Sequence, residues 1–261
     1  MWTRYAALGD SFTEGLMDVT GPQGRHVGWA DRVAATLARR SADLAYANLA
    51  VRGKLIGQVL DEQVPAACAL EPDLVTLAAG VNDALRRSYD LSASATALEN
   101  SVRALRGTGA DVVLFAFGDP SRRSSVMGSV SGRIARANDA TRAIALEYGC
   151  RVVDFWGCAV FDDDVYWDQD RLHLSPTGHE LAARAVLETL GIGGDSWRTP
   201  AAGAAPPALL ARVGGHATWA GRHFGPWIGR RIRGRSSGDG VVPKRPAWGP
   251  PPGDAYAVDR L

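Results

Sequence analysis

The segment AALGDSFTEG, residues 6–15, sets Ser11 beside an acid, Asp10, and between the glycines Gly9 and Gly15. A serine hydroxyl is a weak nucleophile until a base takes its proton, and that base works best when an acid holds its other ring nitrogen. Near the far end of the chain, DRLH places Asp170 three residues before His173. On a single turn this spacing can bring the carboxylate to the imidazole and leave Nε2 facing Ser11. The oxyanion that develops in acyl transfer needs preorganised donors. The backbone N–H groups of Ser11 and Gly53, with the side-chain amide of Asn82 in GVND, can supply three. Gly53 suits close backbone approach because it lacks a Cβ.

Each element alone has an ordinary reading. Gly-Asp-Ser is a common turn, Asp170 can cap one, and Asn82 can close an Asx-turn. Asp154, at the end of the last apolar run, is a rival acid; Asp170 is preferred because its spacing from His173 constrains the geometry. His179 reads as structural inside a helix, and His26, in GPQGRHVG, as a substrate-side or surface residue. A Ser/Thr-containing loop after a first strand could also cradle the phosphate of a flavin mononucleotide. Asp10 would repel that phosphate, and GVND and DRLH would be left unexplained. Arg86, Arg87, Arg122 and Arg123 follow the third and fourth strands, where they suggest either an anionic substrate or, preferably, solvated loop charges.

Short apolar runs fall at Tyr5–Leu8, Leu44–Leu49, Leu74–Ala79, Val112–Phe117 and Arg151–Trp156. Helical patterns lie between them at Trp29–Arg40, Lys54–Gln63, Ser94–Arg106 and Val130–Tyr148; another, Pro176–Leu190, has Ser175 as N-cap and proline at its first position. Nearly continuous apolar strands alternating with helices predict an α/β fold with a parallel sheet covered on both faces. Such sheets carry their chemistry at the carboxyl ends of the strands, where Ser11, Gly53, Asn82 and the 170–173 segment all fall.

At 261 residues the chain can bury one large core. The formal charge of +1 suggests no polyanion partner, and hence no nucleic acid. Residues 191–261 nevertheless hold ten Lys/Arg against four Asp/Glu, so a mildly acidic body carries a basic tail. That tail begins with a Gly/Ala/Pro linker and continues with aromatics mixed among arginines. Ala220, Phe224, Trp227, Ile228 and Ile232 fall near helical spacing, with Gly225-Pro226 splitting the stripe. Packing on the body is favoured over membrane-surface contact, because a broken helix makes a poor continuous membrane face. The three cysteines, Cys68, Cys150 and Cys158, are too scattered for a disulfide framework, and no spacing suggests zinc. No charged n-region with a following apolar run opens the chain, and no run is long enough to span a membrane, so a cytoplasmic location is expected.

In this order the motifs resemble those of the SGNH hydrolases, the esterase and lipase superfamily also called GDSL-like. GDSFTEG matches the first block with Phe12 where leucine is usual, a side chain expected to turn inward. Gly53, GVND and DRLH fall where the second, third and fifth blocks do. The resemblance covers residues 4–190 and implies a three-layer α/β/α sandwich, flavodoxin-like, with a five-stranded parallel sheet. The division expected is a catalytic domain over residues 1–190 and a basic extension over 191–261. It further implies Ser11, Asp170 and His173 as catalytic residues, an oxyanion hole of Ser11, Gly53 and Asn82, and no cofactor or metal. The implied reaction is hydrolysis of a small-molecule acyl ester through a covalent acyl-enzyme, as in esterases, lipases and carbohydrate deacetylases. A thioesterase or acyltransferase with the same triad, or a non-catalytic flavodoxin-like binding module, is the alternative.

Overall fold

The computed structural model describes residues 1–21, 24–123, 128–199 and 238–258. The first apolar run forms β1 (Arg4–Gly9), buried from Tyr5 onward because both of its faces are covered. β2 (Ala45–Asn48), β3 (Leu74–Ala78), β4 (Asp111–Ala116) and β5 (Arg151–Asp154) lie parallel to it. Tyr5 pairs with Tyr46 on one side and Leu74 on the other. The order across the sheet is β5-β4-β3-β1-β2, so the chain reverses direction of travel between β1 and β3. That switch point is where open α/β sheets leave a crevice for ligands.

Alternation along β1 divides the core in two. Tyr5 and Ala7 point into one layer, with α2 (Gly28–Ala38) and α8 (Pro176–Thr189). Ala6 and Leu8 point into the other, with α3 (Ile56–Gln58), α4 (Val64–Ala69), α6 (Leu91–Gly107) and α7 (Gly128–Tyr148). Two one-turn helices sit at strand ends: α1 (Ser11–Glu14) after β1 and α5 (Val81–Ala84) after β3. Helices on both faces of a mostly parallel sheet make the expected three-layer α/β/α arrangement. At α8, Ser175 caps the helix by accepting from the Gly178 amide at 3.2 Å.

Two elements differ from expectation. The helical pattern expected to end at Gln63 runs on to Ala69 through a π turn at Val59–Gln63, where the Val64 amide donates to the Val59 carbonyl. Pro65 has no N–H for the ordinary α bond, and the widened turn absorbs that missing donor. The sheet also has a sixth strand. β6 (Arg245–Gly249), from the basic tail, pairs antiparallel with β2, matching Tyr46 with Gly249 and Asn48 with Arg245. Trp248 Nε1 donates to the Leu70 carbonyl at 3.0 Å, and the Val258 amide to Thr36 Oγ1 at 2.9 Å. The apolar stripe from Ala220 to Ile232 lies outside the described residues. Among the described residues, no helix is long and apolar enough to cross a membrane.

Candidate active site

Ser11 opens α1, directly beyond the end of β1. The strand is stopped at Gly9, whose φ is +142° and where a β-carbon would lie 2.2 Å from the Ala78 carbonyl oxygen. Gln63 pins this peptide from both sides, accepting from the Gly9 amide at 2.8 Å and donating to its carbonyl at 2.9 Å. Asp10 then caps α1 by accepting from the Phe12 amide at 3.0 Å. The serine is thus set on a turn whose backbone is held before and after it.

His173 and Asp170 arrive on the loop that precedes α8. The Asp168 amide donates to the His173 carbonyl, and the Arg171 amide to the Asp168 carbonyl, each at 2.9 Å. This closes the loop and places Arg171 in the left-handed region at φ +53°. Asp170 Oδ1 accepts the amides of Leu172 and His173, both at 2.9 Å, while Oδ2 lies 2.5 Å from His173 Nδ1. An ionised carboxylate can only accept, so Nδ1 carries the proton and the Nε2 lone pair faces outward. That lone pair meets Ser11 Oγ at 3.0 Å, across 162 residues of chain. Burial alone would raise the Asp170 pKa, but the bonds from His173 and Leu172 outweigh it and hold the carboxyl below its usual value.

Of the three, Ser11 and His173 line a cavity of about 180 Å³. Phe12, Phe117, Phe155, Phe161 and Trp167 give it aromatic walls. Phe12 turns inward as expected, its ring 5.5 Å from Trp29 and 5.7 Å from both Phe115 and Phe117. Arg122 and Arg123 also line the cavity, whereas Arg86 and Arg87 stand outside its walls. Arg122 pairs with Asp162 at 2.7 Å, and the Arg123 guanidinium lies 3.4 Å over the Trp167 ring.

The oxyanion donors expected from the sequence are arranged unequally. Among the described residues, the amides of Ser11 and Gly53 have no acceptor. Asn82 reaches the cavity wall, but its Nδ2 donates to Asp10 Oδ2 at 2.8 Å and to the Lys54 carbonyl at 3.1 Å. Gly53 sits in the turn that this second bond holds against Asn82. The same turn is held from the other side by Glu14, whose carboxylate accepts the Arg52 amide at 2.8 Å and Nε at 3.0 Å. The sequence marks Asp10 as a neighbour of the serine and a charge that would repel phosphate, and does not single out Glu14 or Gln63. Their burial, at 4%, 7% and 4% exposure, is what marks them, since such side chains rarely go inside without a task.

Asp154, the rival acid, is held by Arg142 at 2.8 Å and accepts the Trp156 amide, away from the His173 ring. His26 donates from Nδ1 to the Asp18 carbonyl at 2.8 Å and does not join the cavity wall. His179 is buried, with Nδ1 accepting from the Trp29 amide at 3.3 Å and Nε2 donating to the Leu16 carbonyl at 3.0 Å. Burial pushes its pKa down to about 4. The unfolded imidazole, near 6.5, binds a proton that the folded one refuses until about pH 4, so stability is lost as pH falls through this window. Wild type is expected to lose up to about 3 kcal/mol there, and His179→Gln, which keeps one donor and one acceptor, to lack that slope. Urea titrations at several pH values read this directly; identical slopes would assign the acid loss to other groups. Among the described residues, no group of three or more His, Cys, Asp or Glu is placed to hold a metal ion.

The family model of the GDSL-like Lipase/Acylhydrolase family matches residues 7–181. No curated protein matches the chain in sequence. Solved structures do match in fold. LAE5, an alpha/beta hydrolase enzyme from the metagenome of Lake Arreo, Spain, is 22% identical over 73% of this chain and 95% of its own, with a TM-score of 0.61. Axe2, an acetylxylan esterase from Geobacillus stearothermophilus, is 18% identical over 72% and 94%, at 0.60. The psychrotrophic esterase EstA from Pseudoalteromonas sp. is 16% identical over 72% and 97%, at 0.56. The chain belongs to the GDSL-like lipase/acylhydrolase family. It is an enzyme of the serine-esterase type, acting on small-molecule esters.

Proposed function

We propose that the protein hydrolyses a carboxylic ester through a covalent acyl-enzyme on Ser11, with His173 as base and Asp170 as its orienting acid. The observation that carries this reading is the continuous chain of hydrogen bonds from Asp170 Oδ2 through both ring nitrogens of His173 to Ser11 Oγ, at the edge of a cavity. His173 Nε2 takes the Ser11 proton as Oγ attacks the carbonyl carbon. Collapse of the tetrahedral intermediate passes that proton to the departing alcohol. Water, deprotonated by the same nitrogen, then releases the acid. The amides of Ser11 and Gly53 face the oxyanion, and Asn82 joins them by exchanging its longer bond to Lys54.

The catalytic unit is assigned to residues 1–190 and the extension to 191–261, whose described residues contact that unit through Trp197, β6 and Val258. A phosphate-cradling module fits poorly, because the Asp10 carboxylate already takes the Phe12 amide and the Asn82 side chain. The cavity exceeds the roughly 150 Å³ known to hold a benzene, which suits a short acyl or aryl group. A panel of esters and thioesters graded by acyl length tests the reading. Short acyl and aryl oxygen esters are expected to turn over fastest; failure of every member would refute hydrolysis, and a preference for thioesters would move the substrate class.

Asn82 gives a separate check. Asn82→Ala is expected to lower kcat by about 10²–10³-fold with little change in KM, because a donor to the oxyanion acts as charge develops. A lower melting temperature with kcat spared would instead make Asn82 a brace between Asp10 and Lys54.

A further inference from the structure

Lys244, just before β6, is buried in a polar knot beneath the nucleophile turn. Its Nζ donates to the carbonyls of Glu14 at 2.7 Å, Val27 at 2.6 Å and His26 at 3.0 Å, and pairs with the Asp31 carboxylate. The Glu14 carbonyl is the C-terminal acceptor of α1, one of those a helix end leaves without an intrahelical partner. Val27 and His26 belong to the segment that crosses it. There Gly15 and Gly28 pack so closely that a β-carbon at Gly15 would lie 2.5 Å from the Gly28 Cα. One ammonium therefore ties together two backbone segments that pack glycine against glycine at their crossing, one of them carrying Ser11.

The same part of the tail reaches the second turn of the site. A β-carbon at Gly238 would lie 2.1 Å from the Arg52 carbonyl oxygen, so the tail backbone lies directly on the peptide that precedes Gly53. The Arg52 amide is bound by Glu14, whose own carbonyl Lys244 holds. The tail thus touches the nucleophile turn at residue 244 and the Arg52–Gly53 turn at residue 238.

We propose that Lys244 is a positioning residue for Ser11, and that the 238–244 segment fixes the Arg52–Gly53 turn relative to it. Residues 238–244 then help to position the site while the rest of the tail does not, an assignment that rests on Ser11 being the nucleophile. Lys244→Met combined with Asp31→Asn removes the pair without leaving either member's charge buried alone; Arg245, 3.6 Å from Asp31, loses that neighbour but keeps the Pro250 carbonyl at 2.9 Å. At a temperature where circular dichroism shows the variant folded, kcat is expected to fall by about 10–10²-fold while KM stays within about twofold, because sub-ångström misplacement acts on the reacting geometry. Fluorophosphonate labelling should slow in parallel. Gly238→Ala, which pushes on the Arg52 carbonyl and leaves the lysine intact, is expected to lower kcat in the same way and decides the matter if the double variant does not fold. Trp248→Phe, which loosens the tail at Leu70, is expected to lower the melting temperature and spare kcat. Unchanged kcat in the folded double variant, or in Gly238→Ala, overturns the proposal, as does an equal loss in Trp248→Phe. Activity or labelling that survives Ser11→Ala instead removes the nucleophile assignment beneath it.

Discussion

Ser11→Ala is expected to lower kcat by about 10⁶-fold and to abolish labelling by a fluorophosphonate reagent, which should add one equivalent of mass to the wild-type chain. The size of the effect follows from the geometry. Ser11 Oγ is the atom His173 Nε2 addresses at 3.0 Å, and among the described residues no other nucleophile is bonded to that nitrogen. The fold should tolerate the change, since the turn is held by Gln63, Asp10 and Glu14 and not by the hydroxyl. An intact melting temperature with lost labelling therefore identifies the nucleophile. Labelling that persists on Ser11→Ala would place the reactive atom elsewhere.

The second large effect is expected at Asp170. Asp170→Asn should reduce kcat by up to about 10⁴-fold. Its remaining oxygen can still accept the Leu172 and His173 amides, so the loop stays closed. The new amide, however, would donate toward Nδ1, drive the proton to Nε2, and turn a donor instead of a lone pair toward Ser11. The loss is smaller than for Ser11 because the nucleophile and the oxyanion donors remain. Asp154→Asn serves as the comparison: its carboxylate is engaged with Arg142, and kcat should change little. Steady-state kinetics on the two variants, with melting temperatures alongside, separate the roles; the reverse ranking would transfer the acid to Asp154.

The parallel core of the fold was legible because its central strands, β1, β3 and β4, are buried on both faces and read as nearly continuous apolar runs. The site was legible for a related reason. Ser11, Gly53, Asn82 and the 170–173 segment all follow strand ends, where the sheet delivers polar groups to one rim. What joins them was not legible. Asp10 bonding to Asn82, and Glu14 to Arg52, are pairings between segments far apart in sequence, and no local period announces them. Lys244 was hidden in another way: a lysine among prolines and arginines reads as solvated, and only the carbonyls converging beneath α1 give it a reason to be inside. β6 was missed because RPAWG has weak strand character of its own. Its conformation is imposed by the unpaired side of β2, a tertiary effect that overrides propensity.

That last strand also determines how the sheet ends. An open β2 would offer the amides and carbonyls of Ala45–Asn48 to any extended peptide, and a parallel sheet of this kind could lengthen by recruiting one. β6 occupies those groups and presents an outer side of poor quality for growth. Pro246 has no amide to give, and Pro250, Pro251 and Pro252 follow directly after the strand. The tail thereby closes this side of the sheet with a strand unsuited to templating another, a safeguard against chain-to-chain association built from the residues least suited to being a strand at all.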